Sequence, residues 1–123
     1  LVAGVHFPAL CDPWLLGQRS LAVAVSDLAA MGANPLAFTL ALTTPTVNAD
    51  WLQRYAQGLN LMAQSCGVGL VGGDTTRGPL NLCVTALGEN VKLAQKRAYE
   101  AVAQIGWDGM QFRKDIGHRA INR

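Results

Sequence analysis

The stretch Val71-Gly72-Gly73-Asp74-Thr75-Thr76-Arg77-Gly78-Pro79 decides how the rest of the chain is interpreted. The residues just before it, 67–71, are uncharged and either small or branched, which predicts a short buried strand. The paired glycines permit positive φ angles and leave room for the close approach of a ligand. The oxygens of Asp74 suit Mg²⁺, and Arg77 can pair with phosphate through two hydrogen bonds. A plain glycine-rich turn, with Asp74 as a cap and a solvated Arg77, explains the same residues equally well.

Capping residues and hydrophobic periodicity extend this prediction in both directions. Asp12-Pro13 is typical of a helix start, Gly32 of a helix end, and Asn48 of a second helix cap. The predicted elements are a strand at 1–7, a helix at 13–31, a strand at 35–44, a helix at 49–65, the strand at 67–71, a strand at 80–87 and a helix at 91–105. This order, β-α-β-α-β-β-α, indicates an α/β (α+β) two-layer sandwich, in which helices pack on a mixed sheet of about four strands.

Length and composition favour one cytoplasmic domain covering residues 1–123. Half of the 123 residues are apolar, but no apolar run reaches the roughly 20 residues of a membrane span. A secretory leader pattern is missing, and Cys11, Cys66 and Cys83 lack the spacing of metal ligands. We therefore expect reduced thiols, a cytoplasmic location and no membrane partner.

Charge is distributed unevenly along the chain. Residues 1–89 carry 3 basic and 5 acidic side chains, whereas residues 90–123 carry 7 basic and 3 acidic ones. The basic residues of the second segment alternate with apolar ones such as Trp107 and Phe112, and no nucleic-acid motif accompanies them. An ordinary solvated face is the better interpretation, so no nucleic-acid partner is expected. Binding of an acidic partner through this basic segment is the less favoured hypothesis.

Two further polar residues stand out as candidates. His6 either faces a ligand at the end of the first strand or is a polar residue on that strand's outer face, and the second interpretation is favoured. Asp27 lies in a helix of small residues without a cation four positions later. It is therefore somewhat better placed as a ligand than as part of a solvated face.

Residues 1 to about 89 resemble an internal segment of the thiamine-monophosphate kinases, a family within the aminoimidazole-ribonucleotide-synthetase-like superfamily. The resemblance is carried by three blocks, which are Gly4-Val5-His6-Phe7, Ser26-Asp27-Leu28-Ala29-Ala30-Met31-Gly32-Ala33 and Gly72-Gly73-Asp74-Thr75-Thr76-Arg77-Gly78-Pro79. That family transfers the γ-phosphoryl group of ATP to thiamine monophosphate with several Mg²⁺ ions. The resemblance implies that Asp27 and Asp74 match Mg²⁺ ligands, that Gly73 and Asp74 border ATP, and that His6 matches a substrate contact.

Residues from about 82 to 123 are similar to a second family, the extreme C-terminus of phosphoribosylamine–glycine ligases. The markers are Ala98-Tyr99, Ile105, Gly109-Met110, Phe112-Arg113-Lys114-Asp115-Ile116-Gly117 and Arg119-Ala120-Ile121. The two resemblances divide the chain into a kinase-like segment at 1–82, a strand common to both families at 83–89, and a ligase-like helix and tail at 90–123. A junction within a shared strand keeps its alternation and register continuous.

These resemblances predict a recombined or engineered chimera that folds but lacks a complete active site. The remaining metal and nucleotide contacts of the kinase family have no counterpart in residues 1–89, so His6, Asp27, Gly73 and Asp74 are interpreted as relics and no catalytic residue is assigned. No cofactor is required, and weak binding of Mg²⁺ and ATP through the glycine-rich stretch is the alternative. Strand edges freed by truncation favour a homodimer or a domain-swapped oligomer.

Overall fold

The computed structural model describes residues 1–115 and Ile121. The α/β two-layer architecture predicted from the sequence is confirmed, whereas residues 116–120 and 122–123 of the predicted tail lie outside the described residues. The elements are α1 (Pro13–Ala30), β1 (Pro35–Thr44), α2 (Ala49–Cys66), β2 (Gly69–Arg77), β3 (Asn81–Gly88) and α3 (Val91–Val102). No helix in the described part of the chain is long and apolar enough to cross a membrane.

The three strands form one mixed sheet in the order β2-β1-β3. β1 pairs in parallel with β2 and antiparallel with β3, and α2 supplies the crossover that a parallel connection requires. The fourth strand predicted at 1–7 is wrong, because these residues make only isolated bridges, of which one joins Val2 to Asn81. Gly4, at φ 76°, starts a tight turn in which the amides of Val5 and His6 both donate to the carbonyl of Val2. This turn ends the pairing with β3.

One face of the sheet forms the core with α1 and α2. Alternate side chains of β1 and β3 point towards the helices, as the period of a strand requires. The buried core consists of Phe7, Leu16, Leu21, Phe38, Leu42, Tyr55, Leu59, Ala63, Val68 and Leu82. The other face of the sheet presents Thr39, Ala41, Thr43, Cys83 and Thr85, which are half-buried or exposed. The sheet therefore has one covered and one open face among the described residues.

The two long helices begin where the sequence predicts. The carboxylate of Asp12 accepts a hydrogen bond from the amide of Trp14 at 2.8 Å, and the side chain of Asn48 accepts one from Trp51 at 3.0 Å. Between the helices, the hydroxyls of Ser20 and Tyr55 lie 3.0 Å apart and are buried. Burial raises the pKa of Tyr55, because the phenolate would lose its hydration.

The third helix packs against the C-terminal end of α1. Ala94 is buried in a small cluster with Leu28 and Ala33. Glu89, just before the helix, receives two hydrogen bonds from the guanidinium of Arg97, which lowers the pKa of the carboxyl. α3 ends at Val102, before the predicted end at 105.

Candidate functional site

The glycine-rich stretch is part of a strand, not a loop after one. β2 begins at Gly69 and continues to Arg77, and each residue from Gly72 to Arg77 pairs in parallel with a residue of β1. The burial predicted for residues 67–71 holds at Val68 and is wrong at residues 69–71, because every residue of β2 is exposed. Within the part of the chain that the structure describes, β2 lies at the edge of the sheet and pairs with β1 alone.

Strand alternation divides the polar residues of this stretch between the two faces of the sheet. Asp74 pairs with Ala41 on the open face, where the hydroxyls of Thr43 and Thr76 also meet at 3.0 Å. Arg77 pairs with the buried Thr44 and therefore belongs to the opposite face. The sequence suggested one locus in which Asp74 binds a metal and Arg77 its phosphate. The strand instead separates the two groups.

The paired glycines have different structural roles. Gly73 has φ 152°, and a Cβ atom there would lie 1.9 Å from the carbonyl oxygen of Leu40. A Cβ on Gly72 would meet only the Cγ2 of Thr39, at 4.0 Å. Gly73 is therefore required by the neighbouring strand, and only Gly72 keeps the open approach that the sequence predicted for a ligand.

Asp74 borders an open groove along β2 with a volume of about 660 Å³. The carboxylate is exposed, and its Oδ1 accepts a hydrogen bond from the amide of Thr75 at 2.7 Å. The groove is lined by Leu40, Leu70, Gly72, Gly73, Asp74 and Thr75. Both residues predicted to border a nucleotide, Gly73 and Asp74, thus lie at one accessible surface.

Asp27 lies at a different end of the molecule. It precedes Leu28, whose side chain packs on Gly88, and Gly88 pairs with Pro35 at the start of β1. The partner of Asp74 in β1 is Ala41, roughly 20 Å further along that strand at about 3.3 Å per residue. The fold therefore does not bring the two predicted metal ligands together within one chain. In residues 1–115 and at Ile121, no group of three or more His, Cys, Asp or Glu side chains is arranged to hold a metal ion.

His6 lies in the N-terminal turn, near the carboxyl end of β1. Its Nδ1 accepts a hydrogen bond from the amide of Val2 at 3.0 Å, so the neutral ring carries its proton on Nε2. Val2 bridges to Asn81, which pairs with Thr43. His6 is therefore close to the end of the sheet where β2 also finishes, and it is exposed.

Sequence reasoning missed a cavity of about 470 Å³ at the point where β1 ends. Pro45 follows the last residue of β1. The threonines around it, in Thr43-Thr44-Pro45-Thr46, are the signal that was available, because hydroxyls at a strand end can line a binding site.

Proteins of known family match this chain in sequence and in fold. The family described as AIR synthase related protein, N-terminal domain, matches residues 1–90. The chain belongs to this family. The chain is 50% identical over 82 residues to the thiamine-monophosphate kinase of Salmonella typhimurium, and this match covers 67% of the chain but 25% of the kinase. The chain thus spans about a quarter of the length of the curated kinases it matches.

This family member is also similar to a solved kinase structure and, over a shorter stretch, to a ligase. The crystal structure of thiamine-monophosphate kinase from Stenotrophomonas maltophilia is 49% identical, with a TM-score of 0.70, and the match covers 72% of this chain and 28% of that one. The phosphoribosylamine–glycine ligase of Ralstonia nicotianae is 61% identical over 49 residues, which is 40% of this chain and 12% of the ligase. Only 33 residues follow position 90, so at least 16 of those 49 fall within the region matched by the family.

Proposed function

We propose that the chain is a chimera, in which a kinase-like segment at 1–82 and a ligase-like segment at 90–123 share the strand residues 83–89 and fold as one domain. The ligase match supports this proposal, because it extends into the region that the family description also covers. β3 is continuous from Asn81 to Gly88 and pairs with β1 along its length. A junction inside this strand would leave the sheet register intact.

We propose further that this domain carries part of a magnesium–nucleotide site and does not transfer a phosphoryl group by itself. The separation of Asp27 from Asp74 within the chain is the observation that carries this proposal. Phosphoryl transfer depends on metal ions that bridge and neutralise the phosphates, and one exposed carboxylate binds such ions weakly. The groove at Gly72, Gly73 and Asp74 favours a second function, which is weak binding of Mg²⁺–ATP without turnover.

Calorimetric titration with Mg²⁺–ATP, alongside a coupled assay of ADP release with thiamine monophosphate, tests this proposal. We expect no ADP release and at most weak heat, with a Kd in the millimolar range, which corresponds to about −4 kcal/mol. Asp74→Asn should remove that heat while changing the free energy of unfolding by less than about 0.5 kcal/mol, because the carboxylate is exposed. Asp50→Asn, at an exposed carboxylate in the first turn of α2, is the matched control. ADP release that depends on both Asp27 and Asp74 would contradict the proposal.

We propose a homodimer formed through the exposed edge of β2. The outward backbone groups of this strand have no neighbouring strand among the described residues, and Leu70 and Val71 on it are 55% and 65% exposed. Unprotected edges of this length pair readily with a second copy. A domain-swapped oligomer that exchanges α3 is the alternative form, because Ala94 is the one residue of α3 that is buried among the described residues.

Leu70→Lys is expected to shift the protein from dimer to monomer. Lysine on an edge strand opposes strand pairing because its charge would be desolvated at the interface. Leu15→Lys is the matched control, since Leu15 on α1 has the same 55% exposure. Sedimentation velocity over a range of concentrations measures the outcome. A dimer that persists in Leu70→Lys would refute edge pairing and favour exchange of α3, and a monomer in all three proteins would refute both forms.

We also propose a cytoplasmic location. The thiols of Cys11, Cys66 and Cys83 are all unpaired, as is usual in a reducing compartment.

A further inference from the structure

An apolar cavity, which we call the α1–α3 cavity, lies between the C-terminal end of α1 and one face of α3. It has a volume of about 340 Å³. The side chains of Leu28, Ala33 and Ala94 line it and are buried. Among the described residues, it shares no lining residue with the groove beside Asp74, which pairs near the other end of β1. The α1–α3 cavity is therefore separate from the magnesium–nucleotide groove.

Small residues of α3 leave this space open. A Cβ on Gly32 would lie 3.1 Å from the Cβ of Ala98, so α3 approaches the end of α1 closely at this point. The side chains of Ala94 and Ala98 end at Cβ and fill little of the volume beside this contact. Met31 and Phe112, which also line the cavity, are 58% and 45% exposed. A ligand in the cavity would remove part of this apolar surface from water.

The charged side chains that line the cavity are already paired within the protein. Glu89 accepts two hydrogen bonds from the guanidinium of Arg97, and Arg113 forms an ion pair with Asp115 at 2.8 Å. The hydroxyl of Tyr99 donates to the carbonyl of Arg113 at 3.0 Å. A charged ligand would lose hydration in the cavity and meet no unpaired counterion among the described lining residues. The cavity therefore favours a neutral ligand.

The larger groups of the lining include two aromatic rings and a thioether, which belong to Tyr99, Phe112 and Met31. The ammonium of Lys114 lies 5.9 Å from the centroid of the Phe112 ring and restrains it. Aromatic rings attract one another in offset and edge-to-face arrangements, and a thioether sulfur makes favourable contacts with an aromatic ring. A neutral aromatic ligand gains these contacts, whereas an aliphatic chain does not.

The size of the cavity fixes the size of the ligand. An apolar cavity of about 150 Å³ holds a single benzene ring, so a volume of about 340 Å³ accommodates two fused rings. We propose that the α1–α3 cavity binds a neutral bicyclic aromatic molecule, whose rings lie against Met31, Phe112 and the buried side chain of Ala94.

NMR titration of the full chain without Mg²⁺ tests this site, with indole, indole-3-carboxylate and 1-hexanol as the probes. Indole-3-carboxylate adds a charge to the same rings, and 1-hexanol partitions out of water about as favourably as indole but has no ring. Indole is expected to shift the methyl signals of Met31, Ala94 and Ala98 saturably. Its affinity should be at least fivefold higher than that of either other probe, because only indole is both neutral and aromatic.

Variants at Phe112 test the aromatic contact. Phe112→Ala should weaken indole binding at least fivefold, and Phe112→Leu should weaken it less, because leucine restores apolar surface without a ring. Trp107→Ala is the matched control, since Trp107 is a 65% exposed aromatic residue of the same segment and does not line the cavity. It should leave the affinity unchanged. Melting curves of each variant establish that the fold is retained.

Four results would overturn the proposal. Equal affinity for indole and 1-hexanol would show a general apolar surface, and equal or tighter binding of indole-3-carboxylate would remove the assignment to a neutral ligand. Equal weakening by Phe112→Ala and Trp107→Ala would place the ligand elsewhere. No saturable shift up to the solubility limit of indole would show that the cavity admits no ligand. Because the probes carry no phosphate and no Mg²⁺ is added, each of these results leaves the proposed magnesium–nucleotide function untouched.

Discussion

Replacing Gly73 with alanine should lower the free energy of unfolding by roughly 3 kcal/mol, or abolish the pairing of β2 with β1. A Cβ at this position would lie 1.9 Å from the carbonyl oxygen of Leu40 and 2.7 Å from its carbonyl carbon. These are backbone atoms of the central strand, which cannot move without breaking the sheet. The φ angle of 152° adds strain for any residue with a side chain. Strained backbone and overpacking each cost about 1–3 kcal/mol, which gives the expected magnitude.

Gly72→Ala is the matched control for Gly73→Ala. A Cβ on Gly72 meets only the Cγ2 of Thr39, at 4.0 Å, so we expect a change within about 0.5 kcal/mol. Urea unfolding followed by circular dichroism measures the global effect, and amide hydrogen exchange in β2 detects local loss of pairing. Equal effects of the two substitutions would contradict the assigned register between β1 and β2.

Gly58→Ala should lower the free energy of unfolding by roughly 2–3 kcal/mol, although alanine is the better helix former. A Cβ on Gly58 would lie 1.9 Å from the carbonyl oxygen of Trp14 on α1. Gly17 makes the reciprocal approach, because its Cβ would lie 2.2 Å from the carbonyl oxygen of Tyr55. The helices would have to separate, which disturbs the core at Leu16 and Leu59. This cost exceeds the gain of about 1 kcal/mol in helix propensity.

Ala56→Gly on the same helix provides the comparison for Gly58→Ala. Ala56 is exposed, so only helix propensity changes and the expected loss is about 1 kcal/mol. Thermal and urea unfolding of both variants give the two values. A stabilised Gly58→Ala protein would show that α1 and α2 are not in close backbone contact, and the described helix packing would then be wrong.

The sequence predicted those parts of the fold that depend on residues close together in the chain. Asp12-Pro13 and Asn48 start α1 and α2 as predicted, because a cap satisfies amide groups within its own first turn. Leu52, Tyr55, Leu59 and Met62 recur at helical spacing along α2 and lie in or against the core, since helical period alone decides which residues share a face. β1 likewise begins at Pro35 and ends at Thr44, before Pro45. The glycines that bring the two helices into contact were not predicted, because their role depends on the partner helix.

The glycine-rich stretch has a structure that its own composition does not predict. Its composition predicts a loop after a short strand, because glycine, aspartate and threonine are typical of turns. β1 offers a long partner, and pairing with it draws Gly72 through Arg77 into β2. The ladder hydrogen bonds outweigh the weak local preference for a turn, as tertiary context commonly overrides propensity in strands.

The sequence by itself determined the α/β class, the helix caps, the core stripes and the residue types that could bind metal or phosphate. Only the tertiary structure decided which of those residues meet. It places Asp74 and Arg77 on opposite faces of β2 because successive side chains of a strand alternate. It separates Asp27 from Asp74 because α1 returns the chain to the start of β1, whereas Asp74 pairs near the other end of that strand. Distances between elements depend on register and packing, which no local pattern of residues specifies.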